Sequence, residues 1–311
     1  GQVVALYNYM SQILVELIKL ANLIITITKA LACAGRIESV FDVTSGMADG
    51  SVKEAVAKEE QPGVEFKNVS LTYSGSGAPS VEGINFKAMK GQTIGVIGGT
   101  GSGKSSLVNL IPRLYDATQG EVLVDGVNVK DYDIEALRNK VGIVMQKAVL
   151  FKGTIRESMW MGKKGATDEQ IDEALEISQS KEFVDSKQGR LDYVIEQGGK
   201  NLSGGQRQRL TIARAIVRKP DVLILDDSAS ALDFATDAAL RKAIRGMNNS
   251  PTVFIVSQRA ASLMYADLII VLDDGQVAGM GTHDELLANC EVYKEIYESQ
   301  FKKADSEGGV A

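Results

Sequence analysis

Gly98-Gly99-Thr100-Gly101-Ser102-Gly103-Lys104-Ser105 follows the short apolar run Gln92–Ile97 and opens a helical run from Ser105. The stretch fits the pattern G-x-x-x-x-G-K-S/T. Its glycines let the backbone curl so that several N–H groups point at one phosphate, and the following helix adds the positive end of its dipole. In that arrangement Lys104 reaches the β- and γ-phosphates of a nucleotide and Ser105 ligates Mg2+. Such a loop needs an acidic partner for the metal at the end of a neighbouring strand. Val222-Leu223-Ile224-Leu225-Asp226 supplies one: four apolar residues, then a carboxylate at the carboxyl edge, where open α/β sheets bind their ligands. Val253–Val256 and Leu268–Leu272 are further continuous apolar runs, suited to a parallel sheet covered on both faces. Strands alternating with helices argue for an α/β fold.

Working outward, Val64–Tyr73 mixes β-branched and aromatic residues and reads as a strand before the loop 74–79. Glu121–Val129 contains the hairpin signal Asp125-Gly126. Thr167-x-x-Gln170 is a capping box opening a helical stretch, and Thr282-x-x-Glu285 caps a last helix running to about Phe301. Residues 302–311 are polar and read as a flexible tail. Residues 42–63 read as a linker, punctuated by Gly46, Gly50, Pro62 and Gly63 around the charges Lys53, Glu54, Lys58, Glu59 and Glu60.

The whole chain has 311 residues, 44% of them hydrophobic and 24% charged, enough for a sizeable core. A net charge of −6 argues against gripping nucleic-acid phosphates as the main task. Cys33 and Cys290 are far apart and make no disulfide framework, which fits a reducing setting. His283 is the only histidine, so a His-rich metal site is excluded.

Val3–Ala34 reads as one long apolar helix carrying only Glu16, Lys19 and Lys29 as charges. Its uncharged runs are 15 residues (Gly1–Val15) and nine residues (Leu20–Thr28), short of the roughly 18–20 of an unambiguous span. Glu16 and Lys19 share a face and can pair. Two readings are open on this segment alone: a membrane helix whose polar side faces a bundle interior or aqueous pathway, and a buried helix of a soluble bundle. It lacks the charged n-region and cleavage pattern of a signal peptide.

Leu202-Ser203-Gly204-Gly205-Gln206, followed by Arg207-Gln208-Arg209 and Ala213-Arg214-Ala215, lies between the phosphate loop and Asp226. With this motif the chain, from about Val64 to Phe301, resembles the nucleotide-binding domain of ATP-binding-cassette (ABC) transporters. The resemblance implies a P-loop NTPase fold with a RecA-like core sheet, an antiparallel β subdomain and a helical subdomain at about 147–218. The residue types agree with the role it implies. Ser203 and two glycines at a helix start expose backbone N–H groups and a dipole end suited to an anion. The resemblance implies that this anion is the γ-phosphate held by a second subunit, two cassettes packing head to tail around two ATP molecules. ATP would thus be held by Gly98, Gly99, Thr100, Gly101, Ser102, Gly103, Lys104, Ser105 and Ser106 of one chain, and by Ser203, Gly204, Gly205 and Gln206 of the other, with Asp233 also counted among the nucleotide-binding residues. Tyr73 resembles the aromatic that stacks on adenine. Gln146, in Val144-Met145-Gln146, resembles the glutamine that touches Mg2+ and links the ATP site to the membrane helices. Ser105, Gln146 and Asp226 form the implied Mg2+ set. Ser230-Ala231-Leu232-Asp233 resembles the loop that crosses the dimer interface, and His283 resembles a recurrent structural helix start.

Two positions depart from the family pattern. After the Mg2+ aspartate the family usually has Glu, the base that orients the attacking water; here Asp227 stands, its carboxylate withdrawn by roughly 1.5 Å. A misplacement of about 1 Å can cost about 100-fold in rate. The family also usually has His after the next strand, contacting the γ-phosphate; here Gln258 stands, which hydrogen-bonds but carries no positive charge. Both losses beside an intact phosphate loop, Asp226 and LSGGQ resemble one half of a heterodimeric ABC exporter with a degenerate site. Such a chain holds ATP and hydrolyses it poorly, while its LSGGQ completes the competent site of a partner carrying Glu and His. The alternatives are a homodimer with slow turnover and a non-transport ABC ATPase.

The resemblance also bears on the first helix. In ABC exporters a membrane domain precedes the cassette, and residues 1–41 resemble its last helix with the cytoplasmic extension. Lys29 and Arg36 then lie at the cytoplasmic end, as the positive-inside rule expects. The expectation is a cell-membrane protein with its cassette in the cytoplasm, driving multidrug-type efflux of an unspecified substrate. The apolar opening and the absence of an initiator methionine read as a piece of a longer half-exporter, cut before its final helix.

Overall fold

The computed structural model describes residues 1–43, 46–55, 61–228 and 231–307, the side chains of 301–307 excepted. Lys58, Glu59 and Glu60 of the expected linker, Ser230 of the expected interface loop and the last four residues of the tail lie outside the described residues. The chain divides into two units, Gly1–Ala48 and Asp49–Ala311.

The first unit is one helix, α1 (Gln2–Phe41), seven residues longer at its carboxyl end than the apolar run Val3–Ala34. None of its residues is buried, and it contains an 18-residue window of mean hydropathy 1.7. It is the one helix among the described residues long and apolar enough to cross a membrane. Glu16 and Lys19 pair at 2.7 Å.

The second unit begins with β1 (Val64–Leu71), β2 (Val81–Ala88), β3 (Thr93–Gly98) and α2 (Lys104–Asn109), then β4 (Gln119–Val124), β5 (Val127–Asn128), α3 (Ile134–Lys140) and β6 (Val141–Val144). Between β6 and the next core strand come β7 (Gly153–Thr154), α4 (Ile155–Trp160), α5 (Asp168–Ile177), α6 (Lys181–Asp185), β8 (Val194–Ile195) and α7 (Gly204–Ile216). The chain closes with β9 (Val222–Asp226), α8 (Phe234–Arg245), β10 (Thr252–Val256), β11 (Leu268–Asp273), β12 (Gln276–Gly281), α9 (His283–Asn289) and α10 (Glu291–Glu307).

The core sheet has the order β12-β11-β3-β10-β9-β6, parallel except for the antiparallel edge strand β12. A smaller antiparallel sheet has the order β2-β1-β4-β5. The continuous apolar runs are explained by burial on both faces. On one face Ile224, Phe254, Val256, Ile270 and Leu272 pack with Phe66, Ile84 and Phe86 of the antiparallel sheet. On the other face Leu223, Leu225, Val253, Ile255, Ile269 and Val271 pack with Ile171, Leu210, Ile212 and Leu240 of the helices. Phe66 and Phe86 stack at 4.5 Å between centroids, and Phe86 meets Phe254 at 6.2 Å, which ties the two sheets together.

Both expected capping boxes form, Thr167 with Gln170 and Thr282 with Glu285. The expected single last helix is corrected: it breaks at Cys290, whose backbone is extended (φ −121, ψ 105). Cys290 is buried there, and a Cβ on Gly279 would meet its sulfur at 2.8 Å, so close packing on β12 overrides helical continuity. Part of the segment expected as linker is pinned to the second unit: Gly50 N donates to Tyr132 O at 3.0 Å and Ser51 N to Asp131 O at 2.9 Å.

Asp125 and Gly126 form the tight turn between β4 and β5, with φ 47 and 73. The buried Asp125 carboxylate pairs with Lys90 and Lys140, each at 3.0 Å. Burial pushes its pKa up, but the hydrogen bonds from Lys140 and Lys90 outweigh burial and hold the carboxyl below its ordinary 3.8. A depressed native pKa contributes stability that is present above the unfolded value and lost as pH falls through the native one. Asp125→Asn keeps the turn geometry and removes the charge. It is expected to destabilise the chain by about 1–2 kcal/mol at neutral pH, the partly exposed lysines screening the pair. The difference from the parent should shrink to nothing in acid, as thermal melts across pH will show.

Candidate functional site

The parallel strands deliver their carboxyl ends to one edge of the core sheet. β3 runs into the loop 98–103, β6 into Gln146, β9 into Asp226 and Asp227, and β10 into Ser257 and Gln258. Strand pairing fixes their level: Val256 lies opposite Val96 on one side and Asp226 on the other, and Val144 lies opposite Leu225. A pocket at this edge is lined by Thr100, Gly101, Lys104, Ser105, Gln146, Asp226, Asp227 and Gln258.

The loop owes its shape to its glycines. Gly103 has φ 91, and a Cβ there would lie 2.3 Å from Ser80 O; a Cβ on Gly98 would lie 2.1 Å from Leu272 O. Gly99 and Gly101 have no neighbour within 4 Å of a Cβ, so they form the loop's open side. Ser102 is buried against Gly98. The Lys104 ammonium donates to Gly98 O at 2.9 Å and to Gly99 O, so it is held against the loop's own carbonyls. Burial lowers its pKa, opposed by the charges of Asp226 and Asp227. Asp226 is buried, which raises its pKa, opposed by a hydrogen bond from the Ser105 hydroxyl and by Lys104.

Gln146 Nε2 donates to Asp227 Oδ2 at 3.1 Å. Asp227 sits at φ 45, a left-handed conformation that Asp tolerates better than most side chains, and its N–H donates to Val256 O at 2.9 Å. Tyr73 lies beside the loop, donating from its hydroxyl to Ser106 Oγ at 3.0 Å, with its ring edge-on to Tyr115 at 4.9 Å.

Ser203, Gly204, Gly205, Gln206 and Asp233 are not brought to this pocket. Ser203 caps α7: its hydroxyl accepts from Gln206 N at 3.2 Å, and Gln206 Oε1 accepts from Ser203 N at 3.1 Å. Arg207 braces the loop before it by donating to Leu202 O at 2.7 Å. Ser203 and Gly204 are exposed and a Cβ on Gly204 has no neighbour within 4 Å, so this helix end faces outward. Asp233 caps α8 by accepting from Thr236 N at 2.8 Å. His283 is also outside the pocket; its Nδ1 lies 2.8 Å from the Tyr293 hydroxyl, between the rings of Tyr293 and Tyr297.

Sequence reading missed Gln300 on α10. Its Nε2 donates to Gln258 O at 2.7 Å and its Oε1 accepts from Ala260 N at 3.0 Å, fixing the backbone on both sides of Arg259. No local pattern marks a glutamine whose partners lie 40 and 42 residues away.

The residues fit a nucleotide with Mg2+. Ser105, Asp226 and Gln146 offer hard oxygen donors with one buried carboxylate, the sparse set that suits a magnesium ion shared with phosphates. Among the described residues there is no group of three or more His, Cys, Asp or Glu that could hold a metal by itself.

The family model for ABC transporters matches residues 81–230. The uncharacterized ABC transporter ATP-binding protein YfiB of Bacillus subtilis is 40% identical over 99% of this chain and 53% of its own length. The putative multidrug export ATP-binding/permease protein YgaD of Bacillus subtilis is 36% identical over 97% of this chain and 50% of its own length. The solved structure of a bacterial Atm1-family ABC exporter with ATP bound superposes with a TM-score of 0.81 at 30% identity, over 88% of this chain and 48% of that one. The chain thus spans about half the length of the relatives it matches. It carries an ABC transporter ATP-binding domain of α/β fold preceded by a long apolar helix, and it is homologous to ABC exporter ATP-binding/permease proteins.

Proposed function

We propose that this chain is the ATP-binding part of a membrane-embedded ABC exporter, that its own site binds ATP and turns it over slowly, and that its LSGGQ completes the competent site of a non-identical second half. The loop N–H groups and Lys104 would bind the phosphates. Ser105, Asp226 and Gln146 would hold Mg2+, which when bound neutralises charge on the β- and γ-phosphate oxygens. Asp227 would accept the proton of the attacking water from a carboxylate set back and tied to Gln146. Gln258 would donate a hydrogen bond to the γ-phosphate without a charge.

One observation carries this reading. In a pocket that assembles Lys104, Ser105, Gln146 and Asp226, the positions 227 and 258 hold a short carboxylate engaged by Gln146 and a neutral amide. The exposed start of α7, which does not line the chain's own pocket, supports donation of LSGGQ to a second subunit. The apolar α1 and the multidrug-export relatives support a place in the membrane with an efflux role.

The test compares ATPase activity of this chain alone with that of the chain plus a candidate second half-transporter carrying Glu and His at the matching positions. Low activity alone and high activity together are expected. Strong activity of this chain by itself sinks the division of labour and leaves a homodimer.

A further inference from the structure

A second cleft opens on the helical face of the core sheet, between α8 and the segment 262–266. Leu225, Val253 and Ile255 form its floor, Ala238 and Ile244 its α8 wall, and its cavity volume is about 320 Å³. Small-molecule sites typically measure roughly 300–1,000 Å³. The charge in this cleft has one sign. Three cations from adjacent turns of α8, Arg241, Lys242 and Arg245, line it, and no Asp or Glu does, in a chain of net charge −6. Asp237 pairs with Arg241 at 3.1 Å, which leaves an excess of positive charge.

Both arginines are already held in place. Arg241 donates to Ser262 O at 2.8 Å and Arg245 donates to Tyr265 O. A guanidinium has five N–H donors, so each has donors to spare. The Tyr265 ring, 68% exposed, stands with the Arg241 guanidinium 6.0 Å from its centroid. None of these residues lines the pocket around Lys104.

We propose that this cleft binds an amphipathic anion: a carboxylate or sulfonate head at Lys242 and Arg245, and a hydrocarbon tail of about eight carbons on the Leu225–Val253–Ile255 floor. An apolar floor under a cationic rim satisfies both halves of such a molecule, and a cation or an uncharged tail satisfies only one. The occupant sits between the segment that follows Gln258 and the helix that follows Asp233. The inference rests on the cleft alone and stands whether or not the ATP site is degenerate.

The test is isothermal titration of octanoate into the chain in nanodiscs of zwitterionic lipid, with empty nanodiscs as blank and octylammonium as the charge-reversed control. Saturable octanoate binding is expected, weakened at least ~10-fold by Lys242→Glu/Arg245→Glu, because charge-assisted hydrogen bonds are lost. Ala238→Trp, a substitution at an exposed position of the α8 wall, should weaken it similarly by filling the cleft. No saturable heat, equal affinity for octylammonium, or octanoate binding unchanged in both variants overturns the proposal.

Discussion

Asp227→Glu combined with Gln258→His is expected to raise ATP turnover at this chain's own site about 100-fold in the assembled transporter. Lys104, Ser105, Gln146 and Asp226 line one pocket with both substituted positions. Adding a methylene at 227 advances the carboxylate by roughly 1.5 Å. Imidazole at 258 adds a group that can carry positive charge, which an amide cannot. The backbone at 258 is already fixed by Gln300, so the new ring starts from a defined position. Each single change should recover less than the pair, since groups acting on one transition state are not additive. Single-turnover kinetics of the parent, the two single variants and the double variant measure this, and an unchanged rate in the double variant contradicts the assignment.

Gly204→Asp is expected to reduce ATPase activity of the assembled transporter by about 100-fold or more, while nucleotide affinity at this chain's own phosphate loop stays unchanged. The substitution places a carboxylate at the first position of α7, where the account seats the partner's γ-phosphate. Misfolding does not explain such a loss, because a Cβ on Gly204 has no neighbour within 4 Å. An acidic residue in a helix's first turn also stabilises it, by about 0.3–1 kcal/mol. Thermal melts with equal or higher midpoints should accompany the lost turnover. Full activity in the variant would show that this LSGGQ completes no working site.

The parts of the fold legible in the sequence were those whose signal is local. β9, β10 and β11 announced themselves because both of their faces are buried, so Val222–Leu225, Val253–Val256 and Ile269–Leu272 are unbroken apolar runs. The loop 98–105 and Asp226 were legible because phosphate binding dictates residue types at fixed spacing. Two capping boxes and the Asp125-Gly126 turn depend on neighbours within three residues. Signals set by distant packing were not legible. The break at Cys290 comes from its seat against Gly279, and the hold of Gln300 on Gln258 spans two elements. Edge strand β12 alternates intermediate and exposed positions with three glycine or alanine residues, too weak a pattern to read as a strand. The Gln146–Asp227 hydrogen bond was equally hidden, since its members end different strands that are adjacent only after the sheet forms.

The most direct measurement resolves nucleotide at each site of the assembled transporter. The complex is loaded with radiolabelled 8-azido-ATP and Mg2+, allowed to turn over, photocrosslinked and separated into its two chains. ATP retained on this chain, bound through the loop at Lys104, and ADP formed on the partner are expected. ADP appearing on both chains at equal rates would contradict the division of labour.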